Sequence, residues 1–237
     1  MMSYIRHGHL PGEYIERHQH EEHQLVYVSD GILAVHTDHG AWVAGAQRAV
    51  WIPAHTWHEH RVHGHTTVHT LMFPTGRTAL PYTMPTVIAV GPLLRELLIA
   101  STEPGLAPAE RRRLLGVIND RLLRADITAL QLPTARDPRL AAACRLVLKD
   151  LSQPRTLTWL AGRVGVGERQ LGRLFRAEFG GTYPQWRTNA RIFQAMIELS
   201  EGATVTQAAH RCGWATPSAF IDTFTRVMGR TPGSYRG

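Results

Sequence analysis

The C-terminal part of the chain repeats itself, and a duplicated segment restricts the fold more than any other feature of this sequence. Leu157 to Arg187 reads LTWLAGRVGVGERQLGRLFRAEFGGTYPQWR, and Val205 to Arg236 reads VTQAAHRCGWATPSAFIDTFTRVMGRTPGSYR. Ala161 and Gly165 of the first copy answer to Ala209 and Gly213 of the second, and each glycine precedes a new helical pattern. Leu171 and Phe175 recur as Phe220 and Phe224, and Phe179-Gly180-Gly181-Thr182 with Trp186-Arg187 recurs as Met228-Gly229-Arg230-Thr231 with Tyr235-Arg236. A period of about 50 residues marks one structural unit used twice. A small alanine lets two helices cross closely, a glycine four residues on makes the turn, and apolar residues at helical spacing seat the second helix. That is the pattern of a helix-turn-helix.

Charge follows the repeat. Residues 1–135 carry 11 basic and 12 acidic side chains, whereas residues 136–237 carry 15 basic and 7 acidic ones. Such asymmetry points to a nucleic-acid-binding half beside a half with another task, with a solvated basic surface as the plainer reading. No apolar run approaches the ~20 residues of a membrane span, and the N-terminus lacks the apolar stretch of a signal peptide. The expectation is a chain that stays in the cytoplasm and meets no membrane. Cys144 and Cys212 sit in apolar helical patterns and read as buried thiols.

Residues 14–73 alternate β-forming runs around Val26, Val28, Ile32, Val35, Trp42, Val50, Ile52, Val62 and Val68 with turns at Asp30-Gly31, His39-Gly40 and Gly64. Short strands at this spacing predict a small barrel or sandwich. Thirteen of the fourteen histidines lie between His7 and His69. Gly12, His18-Gln19-His20, Gln24 and Gly31 resemble the first motif of the cupin barrels, and Pro53 with His58 resembles the second. The resemblance implies that His18 and His20 face inward from one strand, with Gln24 and His58 completing the site. Residues i and i+2 of a strand share a face, and neutral imidazole is a common ligand for a divalent transition metal.

The sequence departs from the cupin pattern in three places. Gln24 stands for the usual glutamate, His55 stands for a glycine, and Gly45 to Pro53 is longer than the family spacing. Two readings of His18, His20, Gln24 and His58 stay open: a metal site inside an effector pocket, or a metal-free cavity for an organic ligand. His36, His39, His60, His63 and His65 read as solvated strand or loop histidines.

Residues 74–90, with three prolines, read as the exit from the barrel and a linker. Two helices follow, over 91–100 and 107–126. Leu114, Ile118 and Leu122 of the second, joined by Leu115 and Leu123, form a stripe that must bury itself against the barrel or against a second chain in a homodimer. The expected organisation is therefore a cupin-like barrel over 1–90, a helical pair over 91–130, a linker over 131–138 and a DNA-binding domain over 139–237. A helix from Pro138 through Leu151 is expected to turn Leu140, Cys144, Val147 and Leu148 inward, and Thr156 to cap the next helix.

Residues 138–237, with both repeats and the stretch Gly213-Trp-Ala-Thr-Pro-Ser-Ala-Phe220, resemble the DNA-binding domain of the AraC family of bacterial transcription regulators. The resemblance implies an all-α domain with two helix-turn-helix units joined by a connecting helix, each unit placing its second helix in the major groove. The first reading helix is expected over 168–179. Leu171, Leu174 and Phe175 would form its core face, and Arg169, Gln170, Arg173 and Arg176 its open face. Arginine reads guanine through two parallel donors, and glutamine reads adenine through one donor and one acceptor, so Arg169 and Arg173 are the expected base readers and Arg176 a phosphate contact. The second is expected from the Thr216 cap to Met228, with Phe220 and Phe224 inward and Ser218, Ala219, Asp222, Thr225 and Arg226 outward. Residues 185–199 are expected to form the connecting helix, through Trp186, Ala190, Phe193 and Ile197, holding the units one duplex turn (~34 Å) apart. Thr204 with Gln207 reads as a capping box.

The function expected is a sequence-specific regulator of transcription, not an enzyme, that binds double-stranded DNA, answers to a small-molecule effector and contacts RNA polymerase. A metal-sensing regulator is the first alternative. A cupin isomerase or dioxygenase fused to a DNA-binding domain is the second, disfavoured by Gln24 and the altered second motif.

Overall fold

The computed structural model describes residues 4–76, 80–128 and 130–235; Arg236, which closes the second repeat, and part of the 74–90 segment lie outside them. The chain divides into two compact units that meet in sequence between Gln131 and Leu132.

The N-terminal unit is an antiparallel β structure: β1 (Tyr4–His9), β2 (Tyr14–His18), β3 (His23–Thr37), β4 (Gly40–Ala44), β5 (Arg48–Ile52), β6 (His58–Phe73), β7 (Thr86–Ala89) and β8 (Ile127–Thr128), with α1 (Pro92–Ser101) and α2 (Pro108–Leu123) before the last strand. The long strands β3 and β6 pair along most of their length; β1 and β2 pair with β6, β4 and β5 with β3, and β7 with β5. Strand β1 and the pairing of β7, which lies in the segment read from sequence as a linker, extend the sheet beyond the expected 14–73. Asp30-Gly31 and Gly64, expected from sequence to be turns, lie instead inside the continuous strands β3 and β6, where their register shifts in a bulge. Gly31 must be glycine there, since its φ is +77° and a Cβ would strike the His65 carbonyl and the Thr66 side chain.

Alternation along β3 serves two cores at once. Leu25 and Tyr27 join Trp51, Leu71, Phe73 and Ile88 on one face, while Val26 and Val28 join Val50, Ile52, Val62 and Val68 on the other. Helices α1 and α2 cover the first of these faces with Leu94, Leu98, Ile118 and Leu122. Full burial of each such side chain contributes about 1.5–3 kcal/mol. Of the α2 stripe, Ile118 and Leu122 are thus buried within their own chain with Leu115 packed beside them, while Leu114 is only half-buried and Leu123 is exposed.

His69 ties α1 to this sheet. It is buried, with Nδ1 2.6 Å from Thr102 Oγ1 and Nε2 2.9 Å from Ser29 Oγ. Burial, with smaller contributions from the charges of Arg6 and Arg95, pulls its pKa down to about 4. The ring is therefore neutral when folded but titrates near 6.5 when unfolded. The unfolded chain binds the extra proton, so stability is full above about pH 6.5 and falls as the pH drops toward 4. The melting temperature is expected to fall between pH 7.5 and pH 5, and His69→Gln should remove part of that fall; an identical pH slope in the variant would rule His69 out as a contributor.

The C-terminal unit is helical: α3 (Pro138–Leu148), α4 (Leu157–Arg163), α5 (Glu168–Phe179), α6 (Tyr183–Ser200), α7 (Val205–Arg211), α8 (Pro217–Met228) and a 3-10 turn (Pro232–Tyr235). Short polar side chains start most of these helices. Asp137 caps α3, Thr156 caps α4, and Thr216 caps α8, while Thr182 with Gln185 and Thr204 with Gln207 form capping boxes on α6 and α7. The Thr182 box is why α6 begins at Tyr183 and not at 185. Gly180 (φ 67°) and Gly229 (φ 77°) end α5 and α8 in the left-handed conformation, at matching positions of the repeat. Helix α3 stops at Leu148, which is exposed and not inward as expected, because the buried stripe runs through Leu140, Ala143, Cys144, Val147 and Leu151 and leaves Leu148 on its flank.

Phe175 is fully buried against Tyr183 (5.4 Å) and Trp186 (5.6 Å), and Phe220 against Trp214 (4.9 Å) and Phe224 (5.4 Å). The recurring aromatic anchors of the sequence are the centres of the two helix-turn-helix cores. Cys144 and Cys212 are buried free thiols, and burial pushes both pKa values up to about 12.

Candidate functional site

In the N-terminal unit, His18 is the last residue of β2 and lies directly opposite His58 on β6. His20 stands beyond the end of β2, so it is brought to His18 by the turning chain and not by strand alternation, as the sequence suggests. The loop after β5 holds it there: the His55 N–H donates to the His20 carbonyl at 2.9 Å. His55 has φ 59°, a left-handed conformation that costs a side-chain-bearing residue about 1 kcal/mol and that glycine, which His55 replaces in the motif, adopts freely.

One ring nitrogen each from His18, His20 and His58 lies within 4.8 Å of the others. Their Nδ1 atoms are occupied, against the carbonyls of Glu16 (2.7 Å), Glu22 (2.7 Å) and Thr56 (2.8 Å). A carbonyl accepts only, so each Nδ1 carries the proton, and in the neutral ring it is Nε2 that presents the lone pair. Gln24, 7% exposed on β3, places Oε1 3.3 Å from His20 Nε2. It can serve that ring by turning its NH2 group toward it, or by presenting its oxygen beside it to a cation.

His60 packs beside this cluster, outside the set of three whose nitrogens converge, and is not the solvated histidine expected from sequence. It is 3% exposed, its ring centroid is 5.2 Å from that of His58 and 5.9 Å from that of His18, and its Nε2 is buried with no hydrogen-bond partner among the described residues. The Nε2 of His58 is buried and unpartnered in the same way. The signal was present in the sequence, since His58 and His60 are i and i+2 on one strand and share a face. Burial pulls the His58 pKa down to about 4 and that of His60 well below the usual range, so both rings are in the neutral, ligating form at physiological pH. Beside the cluster is a cavity of about 200 Å³ lined by Arg17, Asp38, Trp57, His58 and Glu59. Arg17 makes two 2.9 Å hydrogen bonds to Asp38, and its guanidinium lies 5.4 Å from the Trp57 ring centroid. Among the other histidines, His39 and His65 are exposed, and His36 and His63 are half-buried.

In the C-terminal unit, Arg169, Gln170, Arg173 and Arg176 are all exposed on α5, while Leu171 and Phe175 are buried and Leu174 is half-buried. Gly167 caps α5 without a side-chain bond, and a Cβ at Gly172 would make only ordinary contact with Leu157 at 3.5 Å. Helix α8 exposes Thr216, Ser218, Ala219, Asp222 and Arg226. Thr225 departs from expectation: it is half-buried, and its hydroxyl is enclosed with no hydrogen-bond partner among the described residues. Its place next to Phe224, on the flank of the buried stripe, turns it toward the core and removes it from the surface open to a duplex. Ile221, which sequence reasoning passed over, is exposed instead.

Residues 9–74 match the model of the cupin domain, and residues 160–237 match that of a helix-turn-helix domain. The HTH-type transcriptional regulator NimR of Escherichia coli is 30% identical over 221 residues, covering 92% of this chain and 81% of NimR. The HTH-type transcriptional activator RhaR of Cronobacter sakazakii is 33% identical over 88 residues, 37% of this chain and 31% of its own length. A solved structure of a transcriptional regulator with an AraC-type DNA-binding domain, from Chromobacterium violaceum, is 27% identical over 42% of this chain and 89% of that one, with a TM-score of 0.41. The likeness to NimR runs through both units, and among the described residues no helix is long and apolar enough to cross a membrane. With a cupin domain ahead of a doubled helix-turn-helix, the chain belongs to the AraC family of transcription regulators and is a sequence-specific DNA-binding protein.

Proposed function

We propose that this regulator is controlled by a small effector bound in the cupin unit at His18, His20, Gln24, His58 and His60, with a divalent transition metal held among the imidazoles. The observation that carries this reading is the convergence of three imidazoles whose Nδ1 atoms are all committed to backbone carbonyls. Carbonyl bonds of this kind orient histidines and raise the basicity of the ligating nitrogen. The unpartnered, buried Nε2 atoms of His58 and His60 fit the same demand for a cation. A metal there would offer an electrophilic centre to a carboxylate or hydroxyl of the effector. The neighbouring cavity of about 200 Å³ suits a compact molecule, being smaller than the ~300–1,000 Å³ of drug-sized sites.

On the DNA side, Arg169 and Arg173 read bases, Gln170 supports them, and Arg176 binds phosphate. Thr216, Ser218 and Arg226 form the weaker contact of the second unit, where Asp222 repels phosphate or accepts from cytosine. Homodimerisation and contact with RNA polymerase complete this reading.

Elemental analysis of protein purified without a histidine tag is the test. About one ion per chain is expected, lost on chelation together with a drop in melting temperature, since an ion bound only by the folded state stabilises it. His18→Ala/His58→Ala should purify without the ion. Metal-free wild-type protein whose melting temperature rises with a small organic ligand would replace the metal reading with the organic-effector one.

A further inference from the structure

The two glycine turns of the repeat are not equivalent. Gly165 and Gly213 both have the left-handed conformation, with φ of 71° and 82°. A Cβ on Gly165 would meet nothing within 4 Å among the described residues, whereas one on Gly213 would stand 2.5 Å from the Leu151 carbonyl, 2.6 Å from an Arg191 Nη2 and 2.9 Å from the Ser152 Cα. The turn of the second helix-turn-helix is thus pressed against the loop that leads into the first. The first turn has no such contact.

Two arginines of α6 lock this junction from beneath. Arg187 and Arg191 are four residues apart and share one helix face. Arg187 Nη2 donates to the carbonyls of Leu151 (3.3 Å) and Gln153 (2.6 Å), on the first unit's side. Arg191 Nη2 donates to the Gly213 carbonyl on the second unit's side, and its guanidinium lies 4.7 Å from the centroid of Trp214. Trp214 in turn packs on Phe220, the anchor of α8. On the first side, Tyr183 of α6 donates to the Arg155 carbonyl (2.6 Å), and its ring packs on Phe175, the anchor of α5. One short stretch of α6 therefore touches the supports of both α5 and α8.

Stability alone does not account for this arrangement. Both guanidiniums are half-buried side by side, neither is paired with a carboxylate among the described residues, and the Nε atom of each is buried without a partner. Burial and the neighbouring Arg187 charge pull the Arg191 pKa down to about 10. Apolar side chains fill such space at lower cost than two unpaired cations. A planar guanidinium does supply rigid, directional donors to fixed carbonyls.

We propose that Arg191, supported by Arg187, is a positioning residue that fixes α8 relative to α5 and thereby sets the spacing between the two operator half-sites. The proposal rests on the reading of α5 and α8 as the helices that enter the groove.

The test is selection of full-length protein on a randomised duplex pool, comparing wild type, Arg191→Met and Arg173→Ala, with melting temperatures to show that each is folded. Wild type should enrich two sequence blocks at one separation. Arg191→Met should enrich the same two blocks at separations scattered by about a base pair either way, and bind the wild-type spacing roughly tenfold more weakly, the loss expected when one block is read out of register. Arg173→Ala should blur one block and leave the spacing alone. A folded Arg191→Met with the single wild-type spacing and undiminished affinity overturns the proposal. Should Arg191→Met not fold, Arg191→Lys is read in the same way, since it keeps the charge and loses the planar donor pair. Two wild-type blocks with unchanged spacing in the variants reject the junction alone; a single wild-type block rejects both the junction and the two-helix reading.

Discussion

Arg173→Ala is expected to lower discrimination between operator and non-operator duplexes by about 10- to 100-fold, the worth of one bidentate arginine–guanine contact. Arg173 is exposed on α5 two residues beyond the buried Leu171, with Arg169 one helical turn before it. Arg176 is also exposed, one turn nearer the C-terminus, where a phosphate contact is expected. Arg176→Ala should therefore weaken all sequences alike and reduce the salt slope by about one counterion. Titrating labelled matched and mismatched duplexes over a range of salt separates the two effects. If both variants bind the operator like wild type, α5 is not the helix that reads it.

The second large effect is expected in the core of the second unit. Phe220 is 0% exposed, 4.9 Å from Trp214 and 5.4 Å from Phe224, which is itself 5.3 Å from Tyr235. Truncating an aromatic side chain in such a place costs about 3–5 kcal/mol, from lost burial and the cavity left behind. Phe220→Ala should accordingly unfold α7 and α8 at a denaturant concentration that leaves the wild type intact. Ile221→Ala, next to it on the solvent side and 36% exposed, should stay within about 0.5 kcal/mol of wild type. Denaturant melts followed by circular dichroism and by Trp214 fluorescence measure both. Comparable losses in the two variants would mean that the helix is rotated from the orientation described.

Much of the helical half was legible because helices carry their own punctuation. Thr156, Thr204-Gln207 and Thr216 marked helix starts, and the spacing of Leu171 with Phe175 and of Phe220 with Phe224 marked buried faces, all within a few residues of chain. Thr225 shows the limit of that reasoning. A helical wheel places it on the border of the buried stripe, and only the neighbours packed against α8 decide that its hydroxyl is enclosed.

The cupin half was legible in outline and not in its site. Strand alternation and the His39-Gly40 turn indicated the sheet, whereas Gly31 and Gly64 mark bulges inside strands and not turns, and His18, His20, Gln24 and His58 were singled out by their resemblance to a motif. Thirteen histidines in some sixty residues made the one packed beside them indistinguishable by composition. His60 came to lie beside the cluster through burial between strands far apart in sequence, and His20 reached the cluster through the His55 loop and not through strand geometry.

By itself, then, the sequence determined what local interactions encode: the helix starts and stops, the strand periodicity, the repeated unit and the excess of positive charge in that half. Tertiary structure alone decided which imidazoles lose their water and meet, which face of α2 is covered, and why one repeat glycine has room for a side chain while its counterpart has none. Those outcomes depend on desolvation and steric contact between segments distant along the chain, which local pattern can at most hint at, as the spacing of His58 and His60 does.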